Sequence, residues 1–473
     1  MSKNQGSATI IISKKAFFTS VLILLILTIF AGILTQIIPR GHYQRIKTNS
    51  EEIIVPDSFT FSNEKPLPLY YWFISWLLVL FAPGNILIIS IIIFIIIIGI
   101  SFAIIYETKV LQEIIEILTI RFLNNKLLLV AMISFFFMLI GSMFGIFEEM
   151  LPLVPLIILL SKNLGWDELI GLSMSLLATG FGFSAAISNP FTLGVAQKLA
   201  GLPVFSGFPY RLLIFFIVYL ILILFLFIKI RKKPLLTMEK LDYEMFNNSL
   251  NKSKKILKPS VVFFIIMIII MFCFIFSTIF IESISGLSLP FIAIVFIIIS
   301  IGTSIIERIP FKKAINVAFK GFIGIAPAIL LILLAMGVNY IIKKGNIIDT
   351  ILYYASINMK KAGKYGTSLW IYFITLFLNF FIGSASAKAF LLIPILAPLS
   401  DITGISRQIA ILAFQFGDGF SNVIYPTNPV LLIGLAISGI SYPKWFKFTF
   451  ILQLIILIIT SLLLVLAVSF GYK

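Results

Sequence analysis

Thr179-Gly180-Phe181-Gly182-Phe183-Ser184-Ala185-Ala186-Ile187-Ser188-Asn189-Pro190 stands inside a run that is otherwise apolar enough to be a membrane helix. Two glycines, a Ser-Asn pair and a proline are foreign to the middle of such a helix, so the stretch reads as a helix interrupted on purpose. The second half of the chain repeats the anomaly at Phe416-Gly417-Asp418-Gly419-Phe420-Ser421-Asn422-Val423-Ile424-Tyr425-Pro426-Thr427-Asn428-Pro429. Ser188-Asn189-Pro190 matches Thr427-Asn428-Pro429 at a displacement of 239 residues. A kink alone is the plain alternative at either place, but duplication beside a glycine-rich turn argues against it.

The chain has 473 residues, 60% of them hydrophobic and 12% charged, too few polar groups to cover a soluble globule. It reads as an all-α polytopic membrane protein; the apolar runs lack the period-two alternation of an outer-membrane barrel. The net charge of +17 places Lys and Arg in short loops between apolar spans, a membrane pattern and not a nucleic-acid surface. One cysteine, Cys273, and one histidine, His42, exclude disulfide frameworks, conventional zinc sites and histidine-based catalysis. No phosphate-binding loop of the Gly-x-x-x-x-Gly-Lys type occurs, and Gly180-x-Gly182 follows no strand, so neither ATP nor a dinucleotide is expected. No cofactor is expected, only a coupling H+ or Na+.

In chain order, Lys14-Lys15 precede an apolar run at 16–38, too long for a signal peptide and without a small-residue cleavage site, read as a retained first span with its N-terminus inside. An external loop at 39–68 leads to a short helix at 70–81 with Trp72 and Trp76 at headgroup level. A span at 85–106 and an amphipathic helix at 107–126 follow. Two apolar segments, 127–140 and 151–160, each too short to cross, flank the tip 141–150; they read as a re-entrant hairpin over 127–162. The broken helix at 168–202 and a span at 210–228 complete an N-terminal repeat, 1–230. The lysine-rich stretch 231–259 is expected to be cytoplasmic.

After a linking span at 260–281 the pattern returns in 282–473. The segment from Phe311 to Pro327 answers the Trp72 helix, with Pro327 244 residues after Pro83. A hairpin at 368–400 answers the first: Gly383 follows Gly141 and Pro394 follows Pro152, both by 242 residues. The second broken helix is expected at 407–439. Nine full crossings and two hairpins result. Five of the crossings separate each element from its counterpart, an odd number, so the repeats should be inverted. Inverted repeats with matching broken helices mark the binding site of a secondary transporter.

A broken helix offers unpaired N–H groups on one half and unpaired C=O groups on the other. Gly182, Pro190, Gly419 and Pro429 are the expected helix breaks, and Ser188, Asn189, Thr192, Asn422, Thr427 and Asn428 the polar groups beside them. Ionisable residues at membrane depth are functional candidates: Glu148 and Glu149 at the first hairpin tip, Lys388 beside Ser384 and Ser386 at the second, and Asp418. Three acids against one base favour a cationic substrate or coupling ion. Alternatively Lys388 pairs with Asp418 or a glutamate as a structural ion pair, leaving one or two carboxylates for function. Any proton coupling must use Glu148, Glu149 or Asp418. Arg211 and Arg407, nearer span ends, read as interface anchors.

The motifs Phe147-Glu148-Glu149-Met150-Leu151-Pro152, Ser188-Asn189-Pro190-Phe191-Thr192 with Ala200-Gly201-Leu202-Pro203, and Phe416-Gly417-Asp418-Gly419-Phe420-Ser421-Asn422 with Pro426-Thr427 resemble the YfcC/DcuC family. These are the C4-dicarboxylate anaerobic carrier-like proteins of the ion transporter superfamily, and the Glu-Glu pair is most similar to the YfcC-type branch of basic amino acid (arginine/ornithine) antiporters. The resemblance implies a scaffold domain, a transport domain that moves by an elevator-type alternation, and a homodimer in a lipid bilayer, the cell inner membrane. The first hairpin has no Ser-Asn-Thr tip, which weakens a direct transfer of the sodium sites of dicarboxylate relatives. Sequence therefore leads to a transporter of a small amino-acid-like solute, with a C4-dicarboxylate carrier as the rival, and an enzyme acting on lipid-linked substrates as a further alternative.

Overall fold

The computed structural model describes residues 14–48, 51–83, 85–122, 125–231, 257–280 and 287–473. Most of the basic loop expected at 231–259 lies outside these residues. The first helix, α1 (Lys14–Ile37), leads into a small cap of two antiparallel strand pairs, β1 (Gly41–His42) with β4 (Thr60–Phe61) and β2 (Arg45–Thr48) with β3 (Glu51–Ile54). The helix with Trp72 and Trp76 is α2 (Tyr70–Leu78), and α3 (Ile86–Glu107) and the amphipathic α4 (Val110–Arg121) follow.

The first hairpin consists of α5 (Lys126–Phe144), a tight turn at Glu148–Leu153 and α6 (Val154–Asn163). Its first arm corrects the expected boundary: α5 has 19 residues and runs through Gly141. That is about 28 Å, enough to cross a bilayer by length. The helix stops at Gly145 because this residue takes a left-handed conformation (φ 66°) that closes the last turn onto the Gly141 carbonyl.

The first broken helix has one half, α7 (Glu168–Ser184), and a second half, α8 (190–199), separated by an unwound segment. Gly182 does not make the break, contrary to expectation; it lies within α7. A β-carbon there would sit 1.9 Å from the Met138 carbonyl oxygen, so its role is to let α7 press against α5. Gly141 serves the same contact from the other side, 2.2 Å from the Thr179 carbonyl by the same measure. Polar residues of α7 return their hydroxyls to their own helix: Ser173 to the Leu169 carbonyl, Ser175 to Gly171, Thr179 to Ser175 and Ser184 to Gly180.

Beyond α9 (Phe208–Arg231), the second half comprises α10 (Pro259–Phe280), α11 (Ser288–Ile306) and α12 (Phe311–Lys344). Here the structure overturns a second expectation. Pro327 does not end a short helix; α12 continues through it for 34 residues. Proline removes a single backbone donor, a loss tolerated where neighbouring helices support that turn, and α12 is packed against α1, α2 and α3.

The amphipathic α13 (Ile348–Lys361) precedes the second hairpin, α14 (Gly363–Asn379) and α15 (Ala385–Thr403), and the second broken helix, α16 (Arg407–Gly419) and α17 (Pro429–Ser438); α18 (Tyr442–Ser469) closes the chain. Nine helices of the described residues are long and apolar enough to cross a membrane. They are not the nine expected: hairpin arms α5 and α15 are among them, and the broken helices, shorter in each half, are not.

The two hairpins and two broken helices occupy the centre. In α16 every residue from Gln408 to Gly419 is buried, whereas α1, α3 and α10 present exposed apolar side chains along one flank, the pattern of helices facing lipid. α5 lies along α7, and α14 along α16; the second halves cross over, α8 packing on α15 and α17 on α6. Gly182→Ala is expected to destabilise the protein by about 1–3 kcal/mol through overpacking against α5, read as a lowered melting midpoint in detergent. Gly383→Ala, where nothing stands within 4 Å, should leave the midpoint unchanged.

Candidate functional site

Each unwound segment has to satisfy backbone groups that a continuous helix would pair internally. In the first, Ser142 of α5 is the main partner. Its hydroxyl donates to the Ala185 carbonyl (2.9 Å) and accepts from the Ile187 N–H (3.0 Å), while its own carbonyl accepts from the Ser188 N–H. The Ser188 hydroxyl donates to the Met143 carbonyl at 3.1 Å. Asn189 then caps α8, its Oδ1 accepting from the N–H groups of Phe191 (3.0 Å) and Thr192 (3.2 Å). In the second segment Trp445 and Tyr442 of α18 donate to the Val423 and Ile424 carbonyls, both at 2.8 Å. The Thr427 hydroxyl donates to the Phe380 carbonyl at 2.7 Å, and Asn428 Oδ1 caps α17 through Val430 and Leu431.

Pro190 and Pro429 stand at the two breaks, where they were expected. Neither clashes with a preceding helical turn; each is the first residue of a new half-helix, where a missing N–H costs nothing. Gly419 is the last residue of α16, and it allows that helix to meet α7: a β-carbon there would lie 2.4 Å from the Ser184 hydroxyl. Gln415 fixes the same crossing by donating to the Phe183 carbonyl at 3.0 Å.

A cavity of about 1460 Å³ lies between the central elements and α2, α3, α11 and α12. Glu148, Glu149, Ser384, Ser386, Asn422 and Asn428 line it. Glu148 and Glu149 are half-buried and form no ion pair with a described residue. They open the short turn into α6, where the positive end of the helix dipole favours negative charge. Glu149 Oε2 also accepts from the Phe147 N–H at 3.3 Å. The Ser386 hydroxyl donates across the two halves to the Phe191 carbonyl at 2.8 Å, and Ser384 caps α15.

The other wall of the cavity is built from the strand cap and the end of α12, with Arg40, Arg45, Lys65, Lys343 and Lys344 against Glu64 and Asp349. Arg45 grips Asp349 with one nitrogen at 2.9 and 2.8 Å from the two carboxylate oxygens, and Arg40 meets Glu64 at 3.3 Å. Asp349 also accepts from the Tyr43 N–H, so the loop at 39–68 is locked to α13. The cavity thus has a basic end at the cap and a carboxylate end at the first hairpin tip.

Other candidates lie off the cavity. Lys388 and Asp418 are fully buried and face each other, Nζ to Oδ1, at 2.7 Å, which matches the ion-pair alternative. Ser188, Asn189, Thr192 and Thr427 serve the unwound segments and do not line the cavity wall. Asn189 Nδ2 and Thr192 Oγ1 are buried with no partner among the described residues. Arg211 is no interface anchor: it is 1% exposed, its Nη2 3.5 Å from Gln408 Oε1, because Gln408 and the chain end at Tyr472 close over the start of α9. Arg407 remains at the surface, held by Asp401 and the Ala200 carbonyl.

Two partners escaped the sequence reading. Asn379 joins Lys388 to Ser421 and Asn422; a lone Asn in the apolar run Leu376-Phe377-Leu378-Asn379 was the available signal. Ser142, expected in the hairpin tip at 141–150, sits inside α5.

Comparison with known proteins places these features in context. The family model described as "C4-dicarboxylate anaerobic carrier", DcuC, matches residues 17–469. A protein of Escherichia coli K12, YfcC, provisionally named a basic amino acid antiporter, is 29% identical over 400 residues, covering 81% of this chain and 78% of that protein. An uncharacterized protein of Haemophilus influenzae is 27% identical over 396 residues, 82% of this chain and 77% of its own length. Among solved structures, the YdaH transporter of Alcanivorax borkumensis aligns with a TM-score of 0.43 at 16% identity, covering 96% of this chain and 98% of that one. The Neisseria gonorrhoeae efflux pump MtrF gives 0.42 at 16% identity, with 96% and 95% covered.

Replacing either cap by alanine is expected to cost about 1 kcal/mol. Asn428→Ala should lower the melting midpoint, and Asn428→Ser, which retains an oxygen for the Val430 N–H, should restore most of the loss. Equal midpoints for the two variants would remove the cap from the account.

Proposed function

We propose a function for this chain from the premise that it belongs to the C4-dicarboxylate anaerobic carrier family, DcuC, and is thus a membrane transporter and not an enzyme. Its solute, in our reading, is a small cationic amino acid of the arginine or ornithine kind, exchanged or taken up with ion coupling. One observation carries this: the carboxylate end of the cavity presents Glu148 and Glu149 side by side, and no basic side chain of the described residues pairs with either. A carboxylate pair held at a helix start supplies acceptor oxygens matched to an ammonium or guanidinium group. Asn422, Asn428 and the start of α17 line the same end and offer an amide and the positive end of a helix dipole to the solute's carboxylate. The name of the YfcC relative agrees with this choice.

The proposal extends to mechanism. The matched packing of α5 on α7 and α14 on α16, with α8 on α15 and α17 on α6, supports two halves related by inversion. Elevator-type alternation, a homodimer, and an inner-membrane location with a cytoplasmic N-terminus are proposed on the family resemblance. A C4-dicarboxylate carrier is the second reading, favoured by the basic end of the cavity at Arg40, Lys65, Lys343 and Lys344.

Counterflow in proteoliposomes separates the two. Arginine and ornithine are expected to exchange, and Glu149→Gln should weaken this roughly tenfold or more, the effect of losing a charge-assisted hydrogen bond worth about 1.5–3 kcal/mol. Exchange of succinate and fumarate alone, unaffected by Glu148→Gln and Glu149→Gln, would replace the cationic solute with a dicarboxylate.

A further inference from the structure

The surroundings of Lys388 are those of a cation site. Its Nζ meets three oxygens from three separate pieces of chain: Asp418 Oδ1 at 2.7 Å from the end of α16, the Ile382 carbonyl at 2.6 Å from the unwound hairpin tip, and Asn379 Oδ1 from the end of α14. Lys388 itself projects from the first turn of α15. Asn379 is oriented by its other atoms, since Nδ2 donates to Ser421 Oγ at 2.6 Å and to Asn422 Oδ1 at 2.9 Å, which turns its carbonyl oxygen towards the ammonium. The second carboxylate oxygen of Asp418 is fully buried and has no hydrogen-bond partner among the described residues.

A carboxylate, an amide carbonyl and an unwound backbone carbonyl form an all-oxygen set with a single negative charge. Hard cations take such oxygen sets, and carbonyls freed where a transporter helix unwinds bind coupling ions. A salt bridge with purely structural purpose needs only the carboxylate; here two further oxygens, one of them held by its own hydrogen-bond network, converge on the same point.

We propose that the second hairpin contains a monovalent-cation site occupied by the chain's own Lys388 ammonium, a tethered cation in the place of a free one. The wild-type protein accordingly binds no Na+ at this position. The site communicates with the cavity, because Asn422 Oδ1 accepts from both Asn379 and Asn428, and Asn422 and Asn428 line the cavity wall. The occupant of the site therefore orders that wall. This goes beyond the identity of the solute and does not rest on it.

The test uses the purified full chain in detergent, with melting midpoints compared in NaCl and choline chloride at fixed ionic strength. Wild type should show no Na+-specific shift that Asp418→Asn removes. Lys388→Ala shortens the stem, frees the three oxygens and leaves Asp418 without its partner. Its midpoint should fall in choline chloride and rise by several degrees, saturably, with NaCl. The double variant Lys388→Ala/Asp418→Asn, with no net charge at the site, should lose the Na+ response. A Lys388→Ala protein indifferent to Na+ would overturn the proposal and leave a structural ion pair. So would a wild-type Na+ shift that Asp418→Asn abolishes. Recovery of the folded double variant, when Lys388→Ala cannot be recovered even in NaCl, would likewise overturn it, because the oxygens would then not accept a free ion.

Discussion

Backbone polar groups released inside a membrane have no water to turn to, and the centre of this protein is organised around satisfying them. Regular helical bonding is interrupted at the five residues between α7 and α8, and again between α16 and α17, where only a short 3-10 turn at Phe420–Val423 intervenes. Each gap is closed by side chains from elements packed against it: Ser142 of α5 at the first, Trp445 and Tyr442 of α18 at the second. Both gaps end in the same way, with an asparagine cap followed by proline as the first residue of the next half-helix. The hairpins lie where they do partly because the broken helices need hydrogen-bond partners.

Close backbone approach is the second consequence. A hydroxyl reaches a carbonyl on a neighbouring helix only if the two axes come near, and glycines permit this. Gly141 and Gly182 bring α5 against α7, Gly417 brings α16 against the Tyr372 carbonyl of α14, and Gly419 brings α16 onto Ser184. The result is a closely packed polar centre with its charges sorted. Lys388 and Asp418 neutralise each other in full burial, while Glu148 and Glu149 are left facing a cavity. Burying an unpaired charge costs several kcal/mol or more, so carboxylates kept apart from any base are affordable only at a wall that a solute or water reaches.

The framework of this arrangement was legible in the sequence because it rests on local chemistry. Apolar length announced the spans, the Ser-Asn-Pro and Thr-Asn-Pro sequences announced the breaks, and the spacing of Gly141 with Gly383 and Pro152 with Pro394 announced two related hairpins. Local signals misled where the answer lay in a neighbour. Pro327 carries a breaker's chemistry, but α12 continues past it, packed against α1, α2 and α3. Gly182 was expected to break its helix, and its purpose is visible only once the Met138 carbonyl is seen against it. Arg211, near a span end in sequence, is covered by Gln408 and Tyr472 from distant parts of the chain.

By itself the sequence determined that this is a polytopic helical membrane protein with two broken helices, two hairpins and four ionisable groups at their centre. Those features follow from hydrophobic length, proline and glycine chemistry and the cost of charge in hydrocarbon, all properties of short stretches. Only the tertiary structure decided which charges meet. Asp418 lies 30 residues from Lys388 in sequence, and nothing local distinguishes it from Glu148 or Glu149 as the lysine's partner. The choice was made by the packing of α16 against α14 and α15, which places one carboxylate beside the ammonium and leaves two for the cavity.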